Sequence, residues 1–144
     1  MGLAYWLLSM FTVLFLFSAD MSHRDANQLQ EQTTADRQLR ARQTVQYLNL
    51  INDWLYDHPQ SSGVISDADL GFTSVSGLKH VIQDGRVFVY QPVQTGLLGE
   101  LLDVTRGSAL IGQVTNRRLI DVHRNDMQVS VPADIPDTYL VYLN

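Results

Sequence analysis

Four histidines, two spaced aspartates and one arginine pair are the residues here whose types could do chemistry. His23, His58, His80 and His123 fall in four different segments. A histidine pair holds a metal when the two lie one helical turn apart, with a glutamate to work on bound water. The sequence has no H-E-x-x-H run and no histidine pair at that spacing. Asp67 and Asp69 could open a cation loop, but the further ligands such a loop needs do not follow, so they read as turn residues. Gly96-Leu97-Leu98-Gly99 lacks the Lys-Ser/Thr that would make it a phosphate loop, and no G-x-S-x-G nucleophile turn occurs. With no cysteine, disulfides, thiolate catalysis and cysteine-based zinc sites are removed together. The expectation is a protein with no catalytic residue, metal or cofactor. His80 is expected to be a partly buried strand residue.

Arg117-Arg118, beside Asn116, is the densest basic point of the C-terminal part. Two readings stand. The pair can close a turn and start a strand, solvated or salt-bridged, or it can dock an acidic partner surface. Nucleic acid is not the expected partner, because the net charge is −5 and a basic face is wanted for that role.

The elements that position these residues begin with residues 1–19, which carry no charge; Asp20 is the first. As a helix this apolar stretch rises about 28 Å, close to the ~30 Å hydrocarbon thickness of a bilayer. A secretory signal would want a basic start and small residues before the cut, whereas Phe17-Ser18-Ala19 places a bulky ring there. A retained anchor is therefore favoured over a cleaved signal. The expected arrangement is a single pass with the C-terminal domain outside the cytoplasm.

Residues 20–58 come next as a helical stalk or a flexible tether, turning amphipathic towards their end. Asp20/Arg24 and Asp36/Arg40 have helical i,i+4 spacing. Ala41, Val45, Leu48, Ile51 and Leu55 recur every three or four residues, with Tyr47 and Trp54 widening the face, until Pro59 and Gly63 end it. That face is expected to be core for the C-terminal domain, with a coiled-coil seam as the alternative.

Residues 59–144 are expected to form a small α+β head with an antiparallel sheet and one packed helix. Residues 78–83 and 86–91 flank Asp84-Gly85 and predict a hairpin pairing Val81 with Phe88 and Ile82 with Val87. Thr95 is expected to cap a helix through Leu97–Val104, with Gly107 as its stop and Gly99 marking close packing. Residues 109–114, 118–122, 127–131 and 139–143 are the further strand candidates.

Three blocks carry a family resemblance. They are Tyr47-Leu48-Asn49-Leu50-Ile51-Asn52-Asp53-Trp54 through His58-Pro59-Gln60; Val81-Ile82-Gln83-Asp84-Gly85-Arg86-Val87-Phe88-Val89; and Ser108-Ala109-Leu110 through Asn116-Arg117-Arg118-Leu119-Ile120-Asp121, with the tail Asp126–Pro132 and Leu140–Asn144. Together with the apolar head, these resemble the small PilM family of plasmid-encoded type IVB thin pili. The larger, actin-like cytoplasmic protein of the same name is different. The resemblance implies an inner-membrane assembly component at the pilus base, with a periplasmic head. Its implied partners are other pilus assembly proteins and pilin, with lipid around residues 1–19; homo-oligomerisation is left open. It implies no catalytic motif. The alternative is a minor pilin-like subunit that enters the fibre. Against it, no basic leader precedes the apolar run, and no acidic residue lies before Asp20.

Overall fold

A computed structural model describes the backbone of residues 2–144 and the side chains of residues 5–14 and 28–144. Much of the expected anchor, at 1–4 and 15–19, lies outside those side chains, as does the Asp20/Arg24 pair. Among the described residues, no helix is long and apolar enough to cross a membrane. The chain forms two compact units, residues 1–36 and 37–144. Both contain part of α1 (Gly2–Asp57).

In the second unit, α1 is joined to the first strand by a connector, residues 58–78, which a short helix α2 (Asp67–Leu70) interrupts, capped by the Ser66 hydroxyl on the Asp69 amide. The Asp67-x-Asp69 spacing is thus turn and cap chemistry. Next come strands β1 (Lys79–Gln83) and β2 (Arg86–Gln91), helix α3 (Leu97–Val104), and strands β3 (Ile111–Thr115), β4 (Arg118–Asp121), β5 (Asp126–Ser130) and β6 (Leu140–Leu143). The six strands make one antiparallel sheet in the order β1-β2-β6-β3-β4-β5.

The β1–β2 hairpin has the expected register, with Val81 opposite Phe88 and Ile82 opposite Val87. Asp84 and Gly85 take φ of 53° and 75°, the left-handed pair of a tight hairpin turn. β6 pairs in the middle of the sheet because its run Leu140–Leu143 is apolar towards both faces. β5, alternating exposed and half-buried residues, takes the outer edge.

Two helical segments cover one face of the sheet, the packed helix of the head and the end of α1, whose amphipathic face was expected to be core. The end of α1 packs Tyr47, Leu48 and Ile51 on Ile82, Val87 and Val89. α3 packs Leu97 and Leu101 on Ile111 and Leu140, with Ala41 completing that cluster. The amphipathic face of α1 is therefore core of its own unit. Val81, Phe88, Tyr90, Val141 and Leu143 look the other way, where Val131 and Ile135 close over them.

Two details of α3 differ from expectation. Gly96, at φ 82°, is its N-cap, and no side chain caps it. The Thr95 carbonyl instead accepts from Arg37 Nη1 at 3.4 Å, and an added Cβ at Gly96 would lie 3.1 Å from Arg37 Nε. Glycine fits there because both the backbone angle and the arginine exclude a side chain. Gly99 marks no close packing, since a Cβ there would meet nothing within 4 Å.

Candidate functional site

Arg117 and Arg118 sit at one end of the sheet and do different things. The β3–β4 turn is two residues long, Asn116 and Arg117, with φ of 50° and 64°. Asparagine tolerates that conformation through its short polar side chain; arginine adopts it at a cost of about 1 kcal/mol. The guanidinium offsets that cost. Arg117 Nη1 donates to the Ile135 carbonyl at 2.8 Å, and Nη2 donates to Val131 and Pro132 at 3.1 and 2.8 Å. Its amide also donates to Asp137 Oδ1 at 3.2 Å. Three carbonyls thus fix one planar fork, and the fork holds the segment that covers the sheet. Arg118 points differently. It pairs with Asp126 at 3.0 Å, and its side chain stays 60% exposed. Both residues are exposed, and they differ in partners: the Arg117 guanidinium is held by three carbonyls, the Arg118 guanidinium by Asp126.

Beside them opens a cleft of about 420 Å³, lined by Leu98 from α3, Gln113 and Thr115 from β3, Ile120 from β4, and Asp121, Val122 and Arg124. Asp121 is tied into the β4–β5 turn, accepting from the Asn125 and His123 amides at 2.8 Å each. Those bonds, led by Asn125, hold its carboxyl below the ordinary value. Gly112 lies under the cleft. A Cβ there would lie 2.8 Å from the Ile120 carbonyl oxygen and 2.9 Å from Met127 Sδ, so this strand position requires glycine.

A second cluster brings together residues that the sequence keeps far apart. His80 Nε2 accepts the Ile65 amide proton at 2.9 Å. In the neutral ring Nδ1 must then carry the hydrogen, and it faces Tyr47 Oη at 2.8 Å. The tyrosine hydrogen is left for Asp67 Oδ1 at 3.2 Å. Asp67 Oδ2 accepts from the Ser74 amide and hydroxyl at 2.9 and 2.7 Å. The chain is Ile65–His80–Tyr47–Asp67–Ser74, and it ties β1, α1 and the connector together. His80 and Tyr47 are each 3% exposed. Burial pushes the His80 pKa down, opposed by the Asp67 charge. Burial first, and Asp67 second, push Tyr47 well above the ordinary phenol value. Asp67 is held below the usual carboxylate range, chiefly by the Ser74 amide and hydroxyl. An imidazole that already accepts a main-chain bond, beside a phenol that stays protonated, is built for holding rather than for proton transfer.

Periodicity of apolar residues does not find this cluster, because its members are polar. A signal was nonetheless present. Arg37, Arg40, Thr44, Tyr47 and Ile51 succeed one another at spacings of three, four, three and four. Arg40 Nη1 donates to the Ser76 carbonyl at 2.9 Å, and Thr44 Oγ1 accepts from Gln91 Nε2 at 2.8 Å. The stripe is a polar seam on the buried face of α1. Lower down, Asn52 Oδ1 accepts from Asn144 Nδ2 at 2.9 Å, and Asn144 Oδ1 accepts from the Val87 amide. Among the described residues no three His, Asp or Glu side chains gather where a metal ion could sit.

The family model PilM matches residues 12–143. The crystal structure of a PilM protein from Escherichia coli B7A aligns with a TM-score of 0.68 and 37% identity, over 78% of this chain and 94% of that one. The crystal structure of a PilM protein from Pseudomonas aeruginosa 2192 aligns with a TM-score of 0.45 and 22% identity, over 73% of this chain and 94% of that one. No curated protein matches the chain.

Proposed function

Since the chain belongs to the PilM family of pilus-biogenesis proteins, we propose that it is an inner-membrane assembly subunit of a conjugative type IVB thin pilus. It acts through protein–protein contacts at the pilus base, without catalysis. The observation that carries this reading is the family match over residues 12–143, nearly the whole chain. A binding role fits this geometry, because the buried side chains of Tyr47, His80, Thr44 and Gln91 are used in holding the segments of the second unit together. Arg118, together with the apolar and polar cleft near it, is the surface offered to other pilus proteins.

Residues 1–19 are the proposed anchor, with the head in the periplasm. From Tyr5 to Leu14 every large apolar side chain is more than half exposed, a surface that water would not leave uncovered at low cost. Carbonate extraction of membranes tests the anchor: release into the soluble fraction would remove it. In-cell crosslinking, followed by fractionation of membranes and sheared pili, tests the role. Capture of inner-membrane pilus proteins, with none of the chain in the fibre, is expected. Co-sedimentation with sheared fibres, crosslinked to pilin, would replace this reading with that of a minor pilin.

A further inference from the structure

We propose that His80 is the latch of an acid-released strap, residues 61–67, that covers the outer edge of β1. β1 ends the sheet, and an uncovered edge strand offers unpaired main-chain groups to other strands. Here the strap takes that place. Gly63 exchanges two main-chain bonds with Ile82, at 2.8 and 3.0 Å, and the Gly85 amide donates to the Ser61 carbonyl at 2.9 Å. One turn on, the strap has no further main-chain pairing with β1. Its next bond is the Ile65 amide to His80 Nε2, and Ile65 itself is buried in the apolar cluster beneath α1. The Ser66 cap of α2 and the Asp67 carboxylate come directly after it, so the latch decides where α2 sits.

The latch works only with a neutral ring. Nε2 must present a lone pair to the Ile65 N–H. A proton on Nε2 sets two N–H groups head to head at 2.9 Å, and the strap must then move away from the ring. No other acceptor replaces the lost one, because the opposite nitrogen already faces Tyr47. The charged and titratable groups around the ring come from each packed element. α1 contributes Tyr47, the connector contributes Asp67 through Tyr47, β2 contributes Tyr90 to a separate hollow lined by Tyr47, Asp67 and His80, and Lys79 adjoins on β1 itself. Asp67 alone among them favours the imidazolium, and it reaches the ring through the phenol and not directly.

Linkage gives the direction. With the strap released, an exposed His80 on β1 takes its proton near pH 6.5, whereas the latched ring takes it lower. Release therefore becomes easier as pH falls below about 6.5, by up to about tenfold per unit until the latched ring itself protonates. The consequence is an edge of β1, with Ile82 main-chain groups, that is shut at neutral pH and opened by acid.

The test uses the full chain in detergent micelles and two nuclear magnetic resonance readouts. At about pH 7.5 the His80 ring is expected as the Nδ1–H tautomer; finding the Nε2–H tautomer overturns the latch without any variant. Amide exchange is then followed from about pH 7.5 to 5, corrected for the intrinsic rate. Gly63, Ile65 and Ile82 are expected to be less protected than Val114 and Leu143 at every pH, and to lose protection below about pH 6.5. Unchanged protection at the three strap amides across the pH range overturns the proposal, and so does protection equal to that of Val114 and Leu143 throughout, which would mean that the strap opens only by global unfolding. His80→Gln is expected to flatten the strap response; a variant that folds and keeps the wild-type pH response removes His80 from the mechanism.

Discussion

Arg117 Nη2 donates to the Pro132 carbonyl at 2.8 Å, tying the tip of the β3–β4 hairpin to the segment that roofs the far face of the sheet. That one bond explains why two adjacent arginines, alike in sequence, have separate fates. Arg117 is spent on main-chain carbonyls, whereas Arg118 answers only Asp126.

Arg117→Ala is accordingly expected to lower stability by about 2 kcal/mol, because it frees three carbonyls beside Val131 and Ile135. Arg117→Lys is expected to recover little, since an ammonium cannot bridge them as a fork does. Arg118→Ala is expected to change stability by less than about 1 kcal/mol, as for an exposed ion pair. Urea melts of the three variants check this order. Arg118→Ala alone is then the clean probe of partner capture: pilus proteins recovered at the wild-type level would take Arg118 off the docking surface.

Two glycines are expected to answer in opposite directions. Gly112→Ala drives a methyl into the Ile120 carbonyl and Met127, and is expected to cost about 1–3 kcal/mol. Gly99→Ala, in the exposed middle of α3 with open space around it, is expected to add about 0.5–1 kcal/mol. Paired thermal melts decide it; a stable Gly112→Ala protein would mean that β3 and β4 can separate at little cost.

Thr138 holds φ 73°, a conformation that a β-branched residue avoids, while its amide donates to Val114 and its carbonyl accepts from Gln113 Nε2. Thr138→Gly keeps both main-chain bonds and relieves the strain. A gain of about 1 kcal/mol in urea denaturation is the expected result; a loss would show that the hydroxyl or methyl makes a stabilising contact of its own.

Stability is expected to fall in two acid steps. The folded pKa of His80 lies below its ordinary 6.5, so the unfolded chain takes the proton first. Its contribution is whole above about pH 6.5 and is lost as pH drops from there through the folded value. Asp67, also depressed, keeps its contribution above its ordinary 3.8 and loses it at lower pH. His80→Gln is expected to abolish the upper step and Asp67→Asn to shrink the lower one, which Asp121 shares, read as urea midpoints across the pH range. An upper step that survives His80→Gln, or a lower one that Asp67→Asn leaves unchanged, would assign that acid sensitivity elsewhere.

The family resemblance, the β1–β2 hairpin and the core face of α1 were all legible in the sequence. Each depends on residues close along the chain. Asp84-Gly85 dictates a turn by its own backbone preference, so the pairing of Val81 with Phe88 comes from counting outward. Residues 139–143 are a strand candidate by sequence, and β6 forms there; its burial on both faces came only with the sheet. The absence of cysteine closes whole classes of chemistry without any geometry.

What the tertiary structure alone decided is how polar side chains are used. Nothing local separates Arg117 from Arg118, because the carbonyls that claim Arg117 come from Val131, Pro132 and Ile135. Thr95 looks like a helix cap until Arg37, 58 residues away, draws on its carbonyl. His80 reads as one more strand residue; only folding sets it between Ile65 and Tyr47 and so fixes which nitrogen carries its proton. Apolar burial can be read from spacing, since any apolar neighbour serves. A hydrogen bond needs one donor and one acceptor at one distance, and those partners are chosen by the whole fold.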